Sequence, residues 1–212
     1  MSEILLPTNL NRLPFHIDVE ELEALKDIHG ATEMQMRAAY NRALGRTAIT
    51  LRSLTNKKLR DEMGIKSLKA IRKRFQHFRL RSPSKQKKFD ELKLWYGMND
   101  VSVGYLKGSI RRRGTKKSPN GAVFKPRGKM PNQTYDDGFI TRLYNRRSIF
   151  TRKTANRFPV VEARVPVADE LNAMIEDDIY ERLPEIFLKH FETDLKGRVK
   201  MGLHKNSWKK YG

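Results

Sequence analysis

The chain has 212 residues, 44 lysines and arginines against 24 acids, no cysteine, and a net charge of +20. Its length and 38% apolar content allow one large domain or two small ones to fold unaided, while 32% charged residues leave much of the chain polar. Disulfide and thiolate chemistry are excluded, and no apolar run approaches the roughly 18 residues of a membrane span, so a soluble chain with no membrane partner is expected.

The charge is laid out in blocks. Residues 1–36 carry −5, residues 37–88 carry +15, residues 105–157 carry +13, residues 158–195 carry −7 and residues 196–212 carry +6. Basic blocks suit phosphate, since a duplex presents a charge every ~1.7 Å of its axis. They equally suit the acidic segments of a neighbouring subunit.

Residues 1–17 read as an apolar arm with two prolines. Asp18 with Glu21 opens a short helix over 18–29, stopped by Gly30. Thr32 with Gln35 caps a second helix, whose stripe runs Met36, Tyr40, Ala43/Leu44, Thr47, Leu51 and Leu54. Asn56 is expected to cap a further helix to Met63, Gly64 to break it, and Ser67 to start another through Phe78, so that helices fill 32–81. Over 89–106, alternation on either side of Gly97-Met98-Asn99-Asp100 predicts a β-hairpin. Residues 107–137 read as a long basic loop in which only Ala122-Val123-Phe124 is strand-like. Strands are expected at Gly138–Leu143, Ser148–Arg152 and Val160–Val165. After Pro166, Leu171, Ile175, Ile179, Leu183, Phe187, Phe191, Leu195 and Val199 recur every fourth residue. That period drifts by about 40° per step against 3.6 residues per turn. A kink or two successive helices over 167–199, with Pro184 at the join, would re-aim the stripe.

The fold class expected is therefore α+β: N-terminal helices, a small antiparallel β-sheet over 89–165 carrying a long basic loop, and a C-terminal helix or kinked helix pair. An arm and short acidic helix (1–30) precede a main domain (31–200), and a basic tail (201–212) follows.

Catalytic and cofactor chemistry find little support. The histidines (His16, His29, His77, His190, His204) lack metal-ligand spacing, and no phosphate-binding glycine loop or nucleophile elbow is present. Asp136-Asp137 and Asp177-Asp178 are adjacent pairs whose members point apart on regular elements. Neither an enzyme nor a cofactor or metal site is expected. Two basic features remain. Helices at 56–63 and 67–78 joined at Gly64 have the proportions of a helix-turn-helix, as in a nucleic-acid-binding regulatory or packaging protein, presenting Lys66, Lys69, Arg72 and Lys73 to nucleic acid or to a neighbouring subunit, or are two core-packed helices. The loop offers Arg111, Arg112, Arg113, Lys116, Lys117, Lys125, Arg127 and Lys129 for contact with DNA or a partner, or is a solvated charge run.

The run Ala39-Tyr40-Asn41-Arg42-Ala43, then Lys69-Ala70-Ile71-Arg72-Lys73-Arg74, resembles the N-terminal half of the phage minor tail protein Z family, the tail completion proteins of long non-contractile tails. Gly138-Phe139-Ile140 with Leu143, Phe158-Pro159-Val160-Val161, Val165-Pro166-Val167-Ala168 and Arg182-Leu183-Pro184 resemble its centre and C-terminal third, over about residues 32–200. The resemblance implies a structural virion protein at the head-proximal end of the tail, made in the host cytoplasm. It implies a ring, of six copies, partnered by the tail terminator, a head-completion or connector protein and the packaged duplex end. The acidic segment 1–30 and the hairpin at 89–106 depart from that pattern.

Overall fold

The computed structural model describes residues 19–68, 75–80, 89, 91–97, 99–143, 145–156 and 158–203. The chain divides into two units, one of residues 1–51, 76–95 and 180–212, the other of residues 52–75 and 96–179. The α+β class holds, with helices at both ends of the chain and small antiparallel sheets between them.

The first unit is built of helices. α1 spans Val19–Ile28, with Glu20 and Glu21 in its first turn and Lys26 in its last, each sign complementing the helix dipole. It ends at Gly30 (φ +60°), where the Ala31 amide reaches back to the Lys26 carbonyl at 2.8 Å. α2 spans Glu33–Asp61. Its cap is the expected reciprocal one: the Thr32 amide donates to Gln35 Oε1 at 2.9 Å, and the Gln35 amide to Thr32 Oγ1 at 3.3 Å. The first unit's core joins Leu22 of α1, Met36, Ala39, Tyr40, Ala43 and Leu44 of α2, and Phe187, Phe191 and Leu195. The Tyr40 ring lies 4.4 Å from that of Phe89 and edge-on to that of Phe187 at 5.3 Å. Each fully buried ring of this kind contributes about 1.5–3 kcal/mol by leaving water. β1 (Phe75–Leu80) and β2 (Glu91–Tyr96) form a two-stranded sheet.

The expected helix break at Asn56 does not occur. Leu51, Thr55 and Leu59 extend the buried stripe one turn at a time, and no breaker interrupts them until Gly64 (φ +67°), so α2 runs through Asn56 to Asp61. The helix expected to reach Phe78 is also overturned, because Phe75–Leu80 is a strand. Six residues with apolar groups three apart fit either period, and pairing with β2 decides. A helix-turn-helix therefore does not form as expected. Lys69, Arg72 and Lys73 lie outside the described residues.

The second unit is mostly sheet. β3 (Val101–Ser102) pairs with β10 (Arg164–Val165), so β2 and β3 do not form the expected hairpin. Alternation marks a half-buried strand without naming its partner, and here Val101 is buried opposite Val165. The segment 107–137, expected to be irregular, is a three-stranded antiparallel sheet of β4 (Gly108–Gly114), β5 (Pro119–Pro126) and β6 (Gln133–Tyr135). β7 (Phe139–Leu143), β8 (Arg146–Arg152) and β9 (Val160–Glu162) form another, close to the three strands expected there.

α3 (Ala168–Ile175) leads into one π-helical turn, Glu176–Tyr180, and then α4 (Leu183–Met201), with Pro184 in the first turn where its missing N–H costs nothing. The i→i+5 turn takes up residues without advancing the face, so the four-residue repeat from Leu171 to Leu195 stays buried. Beyond Leu195 the drift is no longer corrected. Arg198 is buried where the repeat would place Val199, which is half-buried, and Asp194 is buried one turn before it.

Candidate functional site on the basic hairpin

Each cation expected in a loop has a defined place on the second unit. Arg111, Arg112 and Arg113 lie on β4 and are exposed along its length. Lys116 and Lys117 occupy the connecting turn, closed by the Thr115 amide on the Ser118 carbonyl (3.1 Å) and the Ser118 amide on Thr115 Oγ1 (3.0 Å). Lys125 is on β5, and Arg127 and Lys129 follow it, all exposed.

The sheet holds these residues apart from one another by its register. Ile110 pairs with Phe124 and Arg112 with Ala122, while Arg111 pairs with Val123 and Ser109 with Lys125. Phe124 and Ala122 are fully buried, and they anchor one face. The pleat sends Ser109, Arg111, Val123 and Lys125 to the other. Gly108 is required where it stands, because a Cβ there would lie 2.6 Å from the Phe124 ring. A bulge between Arg112 and Gly114 leaves Arg113 out of register, and its Nη1 lies 2.6 Å from Asp136 Oδ1.

The base of the hairpin is fastened to the end of α2 through main-chain bonds. The Lys66 amide donates to Tyr105 O (2.8 Å), the Lys107 amide to Gly64 O (2.6 Å), the Arg127 amide to Lys107 O (2.9 Å) and the Lys129 amide to Glu62 O (2.8 Å). Gly128 makes this possible, since a Cβ there would lie 2.3 Å from the Glu62 carbonyl oxygen. Lys66 is thereby brought beside Lys107 and Arg127, joining two groups of cations that lie far apart in the sequence.

A charged chain reinforces the same base. Lys129 Nζ lies 2.7 Å from Glu62 Oε2, Lys58 Nζ lies 2.5 Å from Glu62 Oε1, and Lys58 Nζ also lies 2.9 Å from Asp178 Oδ1. Hydrogen bonds from Lys129 and then Lys58 hold the Glu62 carboxyl below its ordinary range, and bonds to Glu62 and then Asp178 raise Lys58.

Of the eight candidates, Arg113 and Lys129 are thus paired with acids, whereas Arg111, Arg112, Lys116, Lys117, Lys125 and Arg127 make no ion pair among the described residues. Lys107 belongs with them by position, and only the register of Gly108 against Pro126 reveals it. Behind the hairpin, Arg146 is fully committed. Its Nη2 lies 2.5 Å from Glu162 Oε2, its Nη1 donates to Tyr105 Oη at 3.0 Å, and its guanidinium stacks 4.2 Å from the Tyr105 ring. Burial alone would raise Glu162, but the bonds from Arg146 and from the Gly104 amide prevail and lower it.

No group of three or more His, Cys, Asp or Glu side chains among the described residues is arranged to hold a metal ion. No described helix is long and apolar enough to cross a membrane. What the hairpin offers is an array of spaced cations on a rigid backbone, suited to a polyanion or to an acidic protein surface.

Comparison with curated proteins and with solved structures gave no match. The family model of prophage minor tail protein Z matches residues 19–205, a span that contains every described residue and reaches into both units. The family is one of structural tail proteins of the virion and is not a known family of enzymes. The chain belongs to the prophage minor tail protein Z family, and so to the structural proteins of the phage tail.

Proposed function

We propose that this tail protein completes the head-proximal end of the tail tube and supports joining of the tail to the filled head, next to the end of the packaged DNA. The match across residues 19–205 carries the reading, because it spans the helical and the sheet unit together. Six copies form a ring in this reading. Its neighbours are the tail terminator on one side and a head-completion or connector protein on the other. The unpaired cations Arg111, Arg112, Lys116, Lys117, Lys125 and Arg127 face the duplex end or an acidic neighbour.

The test is replacement of all eight basic residues of the hairpin region, Arg111, Arg112, Arg113, Lys116, Lys117, Lys125, Arg127 and Lys129, by alanine in the phage. Tails of normal length that join heads poorly, or particles that release DNA abnormally, are the expected outcome. Normal infectivity of that variant, or absence of the protein from purified tails, would sink the proposal.

A further inference from the structure

β7 and β8 place Arg142 directly opposite Arg147 in the antiparallel register. Opposed residues on a strand pair share a face, with Cβ atoms about 4.5–5.5 Å apart, and like charges there destabilise the sheet. Both arginines are exposed, and neither makes an ion pair among the described residues. Their neighbours on the strands are used differently. Arg146 is locked onto Glu162 and Tyr105, and the Arg152 guanidinium lies 4.7 Å over the Phe139 ring. Arg142 and Arg147 are therefore a repulsive pair held in place by backbone pairing, with no counter-charge supplied among the described residues.

Two guanidiniums at that separation fit around one tetrahedral anion, each offering parallel N–H donors to its oxygens. β7 also lies beside β4 and β5, the strands that carry Arg111, Arg112 and Lys125. The surroundings discriminate between classes of polyanion. A single-stranded nucleic acid is bound by bases stacking on aromatic rings. A protein partner is anchored by exposed aromatic or apolar side chains. Neither β4, β5, β7 nor β8 carries an exposed large apolar residue; Phe139 is half-buried beneath Arg152. Unpaired cations on strands whose described residues offer no exposed stacking ring suit the phosphate backbone of a duplex, which is read by charge alone.

We propose that Arg142 and Arg147 form a phosphate clamp that, with the unpaired cations of β4 and β5, binds the backbone of double-stranded DNA without regard to sequence. The inference deepens the DNA contact of the tail reading, and rests on that reading for where the duplex comes from. The full-length protein is titrated with a short random-sequence duplex over roughly 50 to 200 mM salt. Each phosphate contact adds roughly 0.9 to the slope of log affinity against log salt, so alanine at both positions, which removes the one clamped phosphate, lowers the slope by about 0.9 and weakens all duplex sequences alike. Lysine at both positions keeps the slope. Arg142→Glu guards against a mere folding defect: it turns the repulsive pair into an attractive one, so the melting temperature without DNA holds or rises while duplex binding falls. Lys200→Ala, on an exposed residue of α4 in the other unit, leaves binding unchanged. A slope unaltered in the double alanine variant, or a single strand of equal length bound as tightly as the duplex, overturns the clamp. If duplex binding follows the expected pattern but the protein is missing from purified tails, the tail reading falls and the clamp stands. If the protein is found in tails but binds no duplex, the clamp falls alone.

Discussion

Arg198 is wholly buried on α4, and its Nε donates to Asp194 Oδ2 at 2.5 Å, one helical turn earlier. The other carboxylate oxygen of Asp194 lies 3.1 Å from Arg42 Nε on α2, and the Arg198 carbonyl accepts from Gln35 Nε2 at 3.4 Å and from the Leu203 amide at 2.9 Å. Burial pushes Arg42 down and the Asp194 charge opposes that shift. The capped start of α2 is thus tied to the end of α4 by polar bonds inside an otherwise aromatic and aliphatic core.

Removing one member of such a pair strands a buried charge. Asp194→Ala is expected to cost about 3–5 kcal/mol, whereas the double replacement Asp194→Leu with Arg198→Met costs much less or nothing. Urea denaturation of the three proteins checks this. A single variant no less stable than the double one would show that Arg198 is neutralised by something else.

Glu62 sets an acid limit on the hairpin's attachment. Its folded pKa is lowered, so its contribution is present above the ordinary glutamate range and is lost as pH falls through the lowered folded value. Lys58 is raised, so its share is complete below the ordinary lysine range and is lost only as pH rises through the raised value. Glu62→Gln should therefore flatten the acid side of the melting profile, and also shrink the decline at the alkaline end, because the bond to Glu62 is the largest cause that raises Lys58. Hydrogen exchange at the Lys129 amide, bonded to Glu62 O, gives a local readout of the same loss.

His190 titrates the first unit. Burial, then Arg46 and Lys189, lowers its pKa, and its Nε2 lies 3.0 Å from Thr50 Oγ1. A lowered histidine stabilises the fold in its neutral form. Its contribution is complete above about pH 6.5 and falls away as pH drops through the folded value. In His190→Gln, the decline in melting temperature on acidification below about pH 6.5 should shrink; an unchanged slope assigns that decline to other groups.

Two glycines should respond in opposite directions to alanine. A Cβ at Gly45, on the exposed side of α2, meets nothing within 4 Å, so Gly45→Ala should stabilise the isolated protein by about 0.5–1 kcal/mol. A Cβ at Gly128 drives into the main chain of residues 62–64, and Gly128→Ala should cost about 1–3 kcal/mol. Thermal denaturation of each variant measures both signs.

The helical parts of the fold were legible because their signals are local. The Thr32–Gln35 cap, the stop at Gly30 and the four-residue repeat with Pro184 each involve residues within a few positions of one another, and each has its expected counterpart. The sheets were only half legible. Strands at Phe139–Leu143 and Arg146–Arg152 announce themselves by composition, but β4 has a single half-buried apolar residue, Ile110, among arginines that read as a loop. What makes it a strand is Phe124 and Ala122 across the ladder, not anything in β4 itself.

The candidate site divides in the same way. Composition alone located the excess of charge and named eight of its residues, because lysine and arginine are countable without a fold. The pairing of Arg113 with Asp136 and of Lys129 with Glu62, the approach of Lys66 to Lys107 and Arg127, and the opposition of Arg142 to Arg147 arise from register and main-chain contact between distant segments. The sequence by itself determined the α+β class and the sign of the surface, which follow from period, order and composition, and its motifs carried the resemblance to the family. Only the tertiary structure decided which strands pair, which polar groups are buried and which charges are left without a partner, because each depends on neighbours that the chain brings together by folding.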